Sequence, residues 1–369
     1  MKFGVRCFMV ALALVSYAWS APTGAAEQAE PRAVSCKLIR NVSQLQAMQN
    51  NLAGSYCLAR DIDAGSVNFV PIGDFANPFT GKFFGNNHVI RNLTINSAER
   101  LVGLFGRTGD AVIQDVGLVN VNIVGTSDNN GWVGALAASN GVDDGTTVTI
   151  SRVYVTGRVE CTGTGCAVGG ISGDINHDTI LTDSWSSARV VGTTHFTGGA
   201  VAYVGIDATL IRTYATGQVS CGEGCISGGL VGLINGTVRL SYGSGPVFGG
   251  MSSSVGGLAG KQDGGASSTR QSYGAGAVKG GDQSTVGGLI GTLVNATIAQ
   301  AYAVGWVRGG ALSSIGGLIR RWQRSCWRKR SISSCRSANW TRHNMGPHRP
   351  MPMARRSPPS IPWSPAASG

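Results

Sequence analysis

The chain has 369 residues and 56 glycines, roughly twice the usual share of about 7%, yet 42% of its residues are apolar and only 13% are charged. That balance excludes intrinsic disorder of the whole chain, and glycine without a three-residue period excludes collagen. The net charge of +11 comes from 30 Lys and Arg against 19 Asp and Glu; eleven of the bases and none of the acids fall in residues 320–369, so the neutral body is excluded as a nucleic-acid groove.

Residues 1–20 read as a secretory signal. Lys2 and Arg6 precede an apolar run from Cys7 to Val15, and Ala18-Trp19-Ser20 supplies small residues for cleavage. The run is shorter than the roughly 20 residues of a spanning helix. The expectation is an exported protein, extracellular, on the cell surface or in the periplasm, with no membrane span once the signal is removed and with residues 21–35 as a linker. Ser43 to Asn51 then predicts a short helix with Ser43 as N-cap and Gly54 as terminator. Residues 36–100 are read as this cap and the first coils of the repeat that follows.

From residue 101 a Gly-Gly-Leu-x-Gly type segment recurs. Its second position, Gly103, Gly134, Gly170, Gly199, Gly229, Gly257, Gly288 and Gly317, advances by 28 to 36 residues. A second register agrees: Tyr154, Trp185, Tyr214, Tyr242, Tyr273 and Tyr302 are each followed five residues later by Val159, Val190, Val219, Val247, Val278 or Val307. Three residues after each aromatic stands Gly or Ala, and four before it an apolar residue, except Thr269. Each unit thus holds short apolar segments too Gly-rich for helices. Short strands repeating about every 30 residues predict one coil each of a parallel β-solenoid, right-handed by the preference of parallel crossovers. The fold class is all-β, with a short N-terminal helical cap, a solenoid over 101–319 and interior columns of Val and of Leu230, Leu258, Leu289 and Leu318.

The stretch Phe69-Val-Pro-Ile-Gly73, Pro78-Phe-Thr-Gly81, Phe84 to Leu93 and Val102-Gly-Leu-Phe-Gly106, with the recurring Gly-Gly-Leu-x-Gly and its downstream Tyr, resembles proteins carrying the GLUG repeat. That resemblance covers residues 36–319. It implies a secreted bacterial surface protein, of a kind that includes filamentous-haemagglutinin-like adhesins and the non-catalytic parts of some large peptidases.

Cys36/Cys57, Cys161/Cys166 and Cys221/Cys225 form three local pairs and are the disulfide candidates of an exported chain. A zinc site from Cys161, Cys166, Cys221 and Cys225 fails, because two coils at ~4.8 Å each separate the pairs. The best cluster for chemistry is Asp174, Asn176, His177 and Asp178. Asp178, however, shares a column with Asp207, Asn235 and Asn295, which reads as one repeated turn. Asp143-Asp144 beside Asp128 is a candidate for loose calcium binding. Neither His-Glu-x-x-His nor Gly-x-Ser-x-Gly nor a phosphate-binding Gly-x-x-x-x-Gly-Lys occurs, and no cofactor or metal is expected. Residues 320–369 break the register at Arg320 and read as a disordered basic tail or as the product of a frame shift.

The function these residues imply is a structural or adhesive repeat protein without catalysis of its own, presenting a nearly uncharged face to carbohydrate or to a host or cell-surface protein. The alternative is a polysaccharide lyase or glycoside hydrolase on the same scaffold.

Overall fold

Parallel hydrogen bonding from each coil to the next organises the chain. The computed structural model describes residues 35–323, apart from Asn129, Asp143 and Asp144. The signal, nearly all of the linker, the tail beyond residue 323 and the Asp143-Asp144 pair lie outside the described residues.

One coil shows the plan. Thr209–Ile211, Tyr214–Ala215 and Val219–Ser220 form a first face, Ile226–Gly228 a second and Val231–Ile234 a third. Thr237–Arg239 then opens the next coil, in parallel register with Thr209–Ile211. Repeated through about nine turns, this gives a first sheet of 23 strands and two sheets of eight strands each. The architecture is the parallel β-solenoid that the 30-residue period predicts. In two coils the first-face segments fuse into the long strands Val112–Gly125 and Thr149–Cys161.

The valine column faces inward. Val159, Val190, Val219, Val247 and Val278 pair in register from coil to coil and are fully buried, and the column extends upstream through Ile95 and Ile123. Val307, in the last coil, is only partly covered. Leu230, Leu258 and Leu289 form a second interior column, whereas Leu318 is 39% exposed. Coils approach closely at the small-residue column: a Cβ on Gly217 would collide with the carbonyl of Ala188, so that position admits only glycine.

The aromatic column lies on the outside. Rings from Tyr154 through Trp185, Tyr214, Tyr242 and Tyr273 to Tyr302 stack with centroids 4.7 to 6.0 Å apart and planes within 10° of parallel. The stack begins over Gly117, whose missing side chain leaves room for the Tyr154 ring.

Two residues before each aromatic the chain turns a corner in the left-handed region, at Arg152, Asp183, Arg212, Leu240, Gln271 and Gln300, with φ from 44° to 54°. None is a glycine, so each carries a strain of about 1–2 kcal/mol. A hydroxyl ladder supports these corners. The Thr213 and Ser241 N–H groups donate to Ser241 Oγ and Ser272 Oγ of the following coil, and those hydroxyls donate back to Arg239 and Arg270 carbonyls. Charges at the corners alternate in sign: Arg152 pairs with Asp115, and Arg212 with Asp183.

The N-terminal helix begins earlier than Ser43. Asn41, extended at φ −155°, accepts the Gln44 N–H at 2.9 Å, and Gln44 Oε1 accepts the Arg40 N–H. This reciprocal pair near the N-cap outcompetes Ser43. The helix Val42–Gln46 continues as a 3-10 turn to Asn50, four residues short of Gly54, and buries Leu45 and Met48 in the solenoid core.

The one polar member of the apolar column, Thr269, finds its partner inside. Its Oγ1 donates to Oε1 of the fully buried Gln262 at 2.9 Å, at a position where neighbouring coils place Ile234 and Leu293. Thr269→Val should therefore cost about 1–3 kcal/mol by stranding the glutamine, and Gln262→Leu/Thr269→Val should recover most of that loss; urea denaturation of the two variants checks the pair. Val219→Asp, which buries an unpaired charge, should cost several kcal/mol, and an unchanged melting temperature would refute the inward column.

Candidate functional site

The three cysteine pairs are bonded as separate local bridges, with Cα atoms 5.7, 6.4 and 6.2 Å apart for Cys36–Cys57, Cys161–Cys166 and Cys221–Cys225. The Asp174 cluster is divided. Asp174 lies on the third face, 6% exposed. Its Oδ1 accepts the Asn140 N–H at 2.8 Å, and its Oδ2 accepts from Ser139 Oγ at 3.2 Å. Asn140 in turn donates to Ser172 Oγ and accepts from Thr108 Oγ1, so the carboxyl is one member of a closed polar network. Burial pushes the Asp174 pKa up to about 7 against the lowering effect of those hydrogen bonds. His177 and Asp178 stand instead in a left-handed turn. Asp207 and Asn295 repeat that turn, and Asp178 and Asp207 line a cleft of about 440 Å³. Asp128 binds the Thr164 N–H and hydroxyl. Among the described residues no group of three or more His, Cys, Asp or Glu is placed to hold a metal ion.

A groove of about 910 Å³ opens on the first face across four successive coils. Its floor is a ladder of side chains. Asn120 Nδ2 donates to Asn92 Oδ1 at 2.8 Å, and Asn92 Nδ2 donates to Asp63 Oδ1 at 3.1 Å. Both asparagines are left-handed, at φ 56°, a conformation this residue type tolerates. In the next coil Thr156 Oγ1 accepts the Asn120 N–H at 2.9 Å, and Gly157 follows at φ 115°. The register slips at this point, because Val155 faces Leu118 but Gly157 faces Val121. A β-bulge thus widens the wall and re-aims the residues around it. Thr94, Asn122 and Arg158, in register on neighbouring strands, form the facing wall, and Arg158 pairs with Glu160. The Gly65 N–H, then the Asn92 amide, hold the Asp63 carboxyl below the usual range. It is therefore an acceptor rather than a proton donor, and the groove as a whole is built to bind. Of its residues only Asn92, in the Phe84 to Leu93 stretch, and Gly157, in the small-residue column after Tyr154, belong to the sequence patterns described above. The signal was present: Asn92-Leu-Thr-Ile and Asn120-Val-Asn-Ile repeat at a spacing of 28 residues.

Residues 40–157 match the N-terminal region of the M26 IgA1-specific metallo-endopeptidases, and every lining residue of the groove except Arg158 falls in that stretch. Halomucin of Haloquadratum walsbyi is 32% identical over 226 residues, 57% of this chain but 2% of its own length. Two solved structures share the fold. A Bacteroides ovatus protein described as an immunoglobulin A1 protease aligns with 75% of this chain and 83% of its own, at 18% identity and a TM-score of 0.50. An IgA1 protease aligns with 70% of this chain and 21% of its own, at 21% identity and a TM-score of 0.50. The match to a metallo-endopeptidase region overturns the expectation of a structural or adhesive protein outside catalysis, and with it the leaning against an enzyme; the polysaccharide lyase or hydrolase alternative gains no support. The repeat columns that drove those expectations encode the wall of the solenoid and say little about the chemistry it serves.

Asp174 makes stability depend on pH. Its pKa is raised in the folded state, so its contribution is complete below the unfolded value and is lost as pH rises through about 7. His195, lowered by burial, acts in the opposite sense, which makes comparison with a variant necessary. Asp174→Asn should gain on the order of 2 kcal/mol relative to the parent between pH 5 and pH 8, measured by denaturation at both pH values; a constant difference would show that the carboxyl is ionised throughout.

Proposed function

We propose that this chain serves proteolysis as the N-terminal, substrate-engaging region of an exported endopeptidase of the IgA1-specific metallo type. The observation that carries this reading is the match of residues 40–157 to that region, which holds every residue lining the groove except Arg158. The groove is the surface proposed to contact substrate. Its open face, polar lining and rigid floor suit a site that holds a partner while chemistry proceeds elsewhere. The coils over 101–319 are read as GLUG-type repeats that continue the cap and first coils of 36–100, on the support of their Gly-Gly-Leu register. Three disulfides support export, and among the described residues no helix is long and apolar enough to cross a membrane.

Surface plasmon resonance of the full chain against immobilised IgA1 and IgA2 tests the reading. Saturable binding to IgA1, with weaker or absent binding to IgA2, is expected; equal binding to both, or to neither, would overturn it.

A further inference from the structure

We infer that the groove over Asp63, Asn92 and Asn120 takes a neutral oligosaccharide, an assignment that rests on the reading of this groove as the ligand-contacting surface. The side-chain ladder has a direction. Each asparagine donates its amide toward the preceding coil and offers its carbonyl to the following one, and Asn92 does both. At Asn120 the following coil supplies Thr156, whose Oγ1 accepts the Asn120 backbone N–H at 2.9 Å and makes no bond to its side chain. Asn120 Oδ1 therefore meets no partner among the described residues. At the other end of the ladder Asp63 uses Oδ1 for both of its hydrogen bonds, from Gly65 and Asn92, and leaves Oδ2 for a ligand. Open acceptors thus stand at both ends of the floor, and the groove is lined besides by Ser66, by Asn122 and by Thr94, whose hydroxyl donates to the Asn92 carbonyl.

Such a lining calls for a ligand rich in hydroxyl donors. It does not suit an extended peptide, because the one lining strand with an open edge, Ile62–Asp63, is two residues long, and the others are paired with the coils on both sides, which leaves little for main-chain bonding. Nor is there a pocket for apolar side chains: Val121, the one apolar lining residue, is 2% exposed. An ionic ligand is disfavoured as well. The formal charges in the lining are Asp63 and Arg158, of opposite sign, and Arg158 is engaged by Glu160. A sugar chain satisfies all three constraints, since adjacent hydroxyls can donate to carboxylate and amide oxygens while accepting from amide N–H groups.

Isothermal calorimetry of the full chain against maltotriose, cellotriose, mannotriose and chitotriose, with trigalacturonate and an unglycosylated Ser/Thr-rich peptide as controls, tests the assignment. At least one neutral trisaccharide should bind, and Ser66→Ala and Asn122→Ala, both at exposed positions, should each weaken it about tenfold without shifting the melting temperature. Absence of binding by every neutral sugar overturns the inference, as does binding of the peptide alone; the latter would leave the groove as a substrate surface. Sugar binding without recognition of IgA1 would sustain the inference and overturn the substrate reading.

Discussion

The coil-to-coil hydrogen-bond ladder forces each residue to lie against its own counterpart in the next turn, about 4.8 Å away. Every side chain must therefore be compatible with a near copy of itself. Apolar residues meet that requirement without cost, and the Val159 to Val278 column is buried throughout. Aromatic rings meet it by stacking face to face from Tyr154 to Tyr302. Charges of one sign do not, and the corner column alternates Asp115, Arg152, Asp183 and Arg212 so that each turn neutralises the last. A buried polar residue has the narrowest solution: Thr269 is tolerated because Gln262 faces it inside the same stretch of core.

The same constraint decides what could be read in advance. Columns of identity are legible, because repetition of Val219 or Tyr242 at a fixed spacing has no other economical cause. The corners are not, because Arg212, Leu240 and Gln271 carry no local preference for left-handed backbone; tertiary pairing imposes it. The Asn41 cap was legible in principle, since Asn41 and Gln44 have the spacing of a reciprocal capping pair, but Ser43 competed with it as a plausible cap. The groove escaped notice for a related reason. It spans irregular coils on both sides of the start of the Gly-Gly-Leu register at residue 101, and its ladder is built from only two asparagines and one aspartate.

Regular and irregular coils divide the labour. The regular ones, from Gly170 onward, supply a stiff wall whose residues answer to one another. The irregular ones, between Asp63 and Arg158, break the pattern with a bulge and a glycine, and there a surface forms whose hydrogen-bonding groups are not all claimed by the next turn. The match to a peptidase N-terminal region falls largely on those coils, outside most of the regular repeats.

The stacked rings also make the solenoid an optical device. Six aromatic chromophores at 4.7 to 6.0 Å in near-parallel planes are close enough for excitation absorbed by any tyrosine to migrate along the stack. Trp185 is the only indole in that column, and it is the natural sink for this energy. A turn that opens interrupts the relay at its own rung. Because terminal turns of a stacked array open first, tyrosine-sensitised emission from Trp185 would fall stepwise as the coil of Tyr302, then that of Tyr273, comes apart, so the molecule carries its own gauge of how far unwinding has travelled.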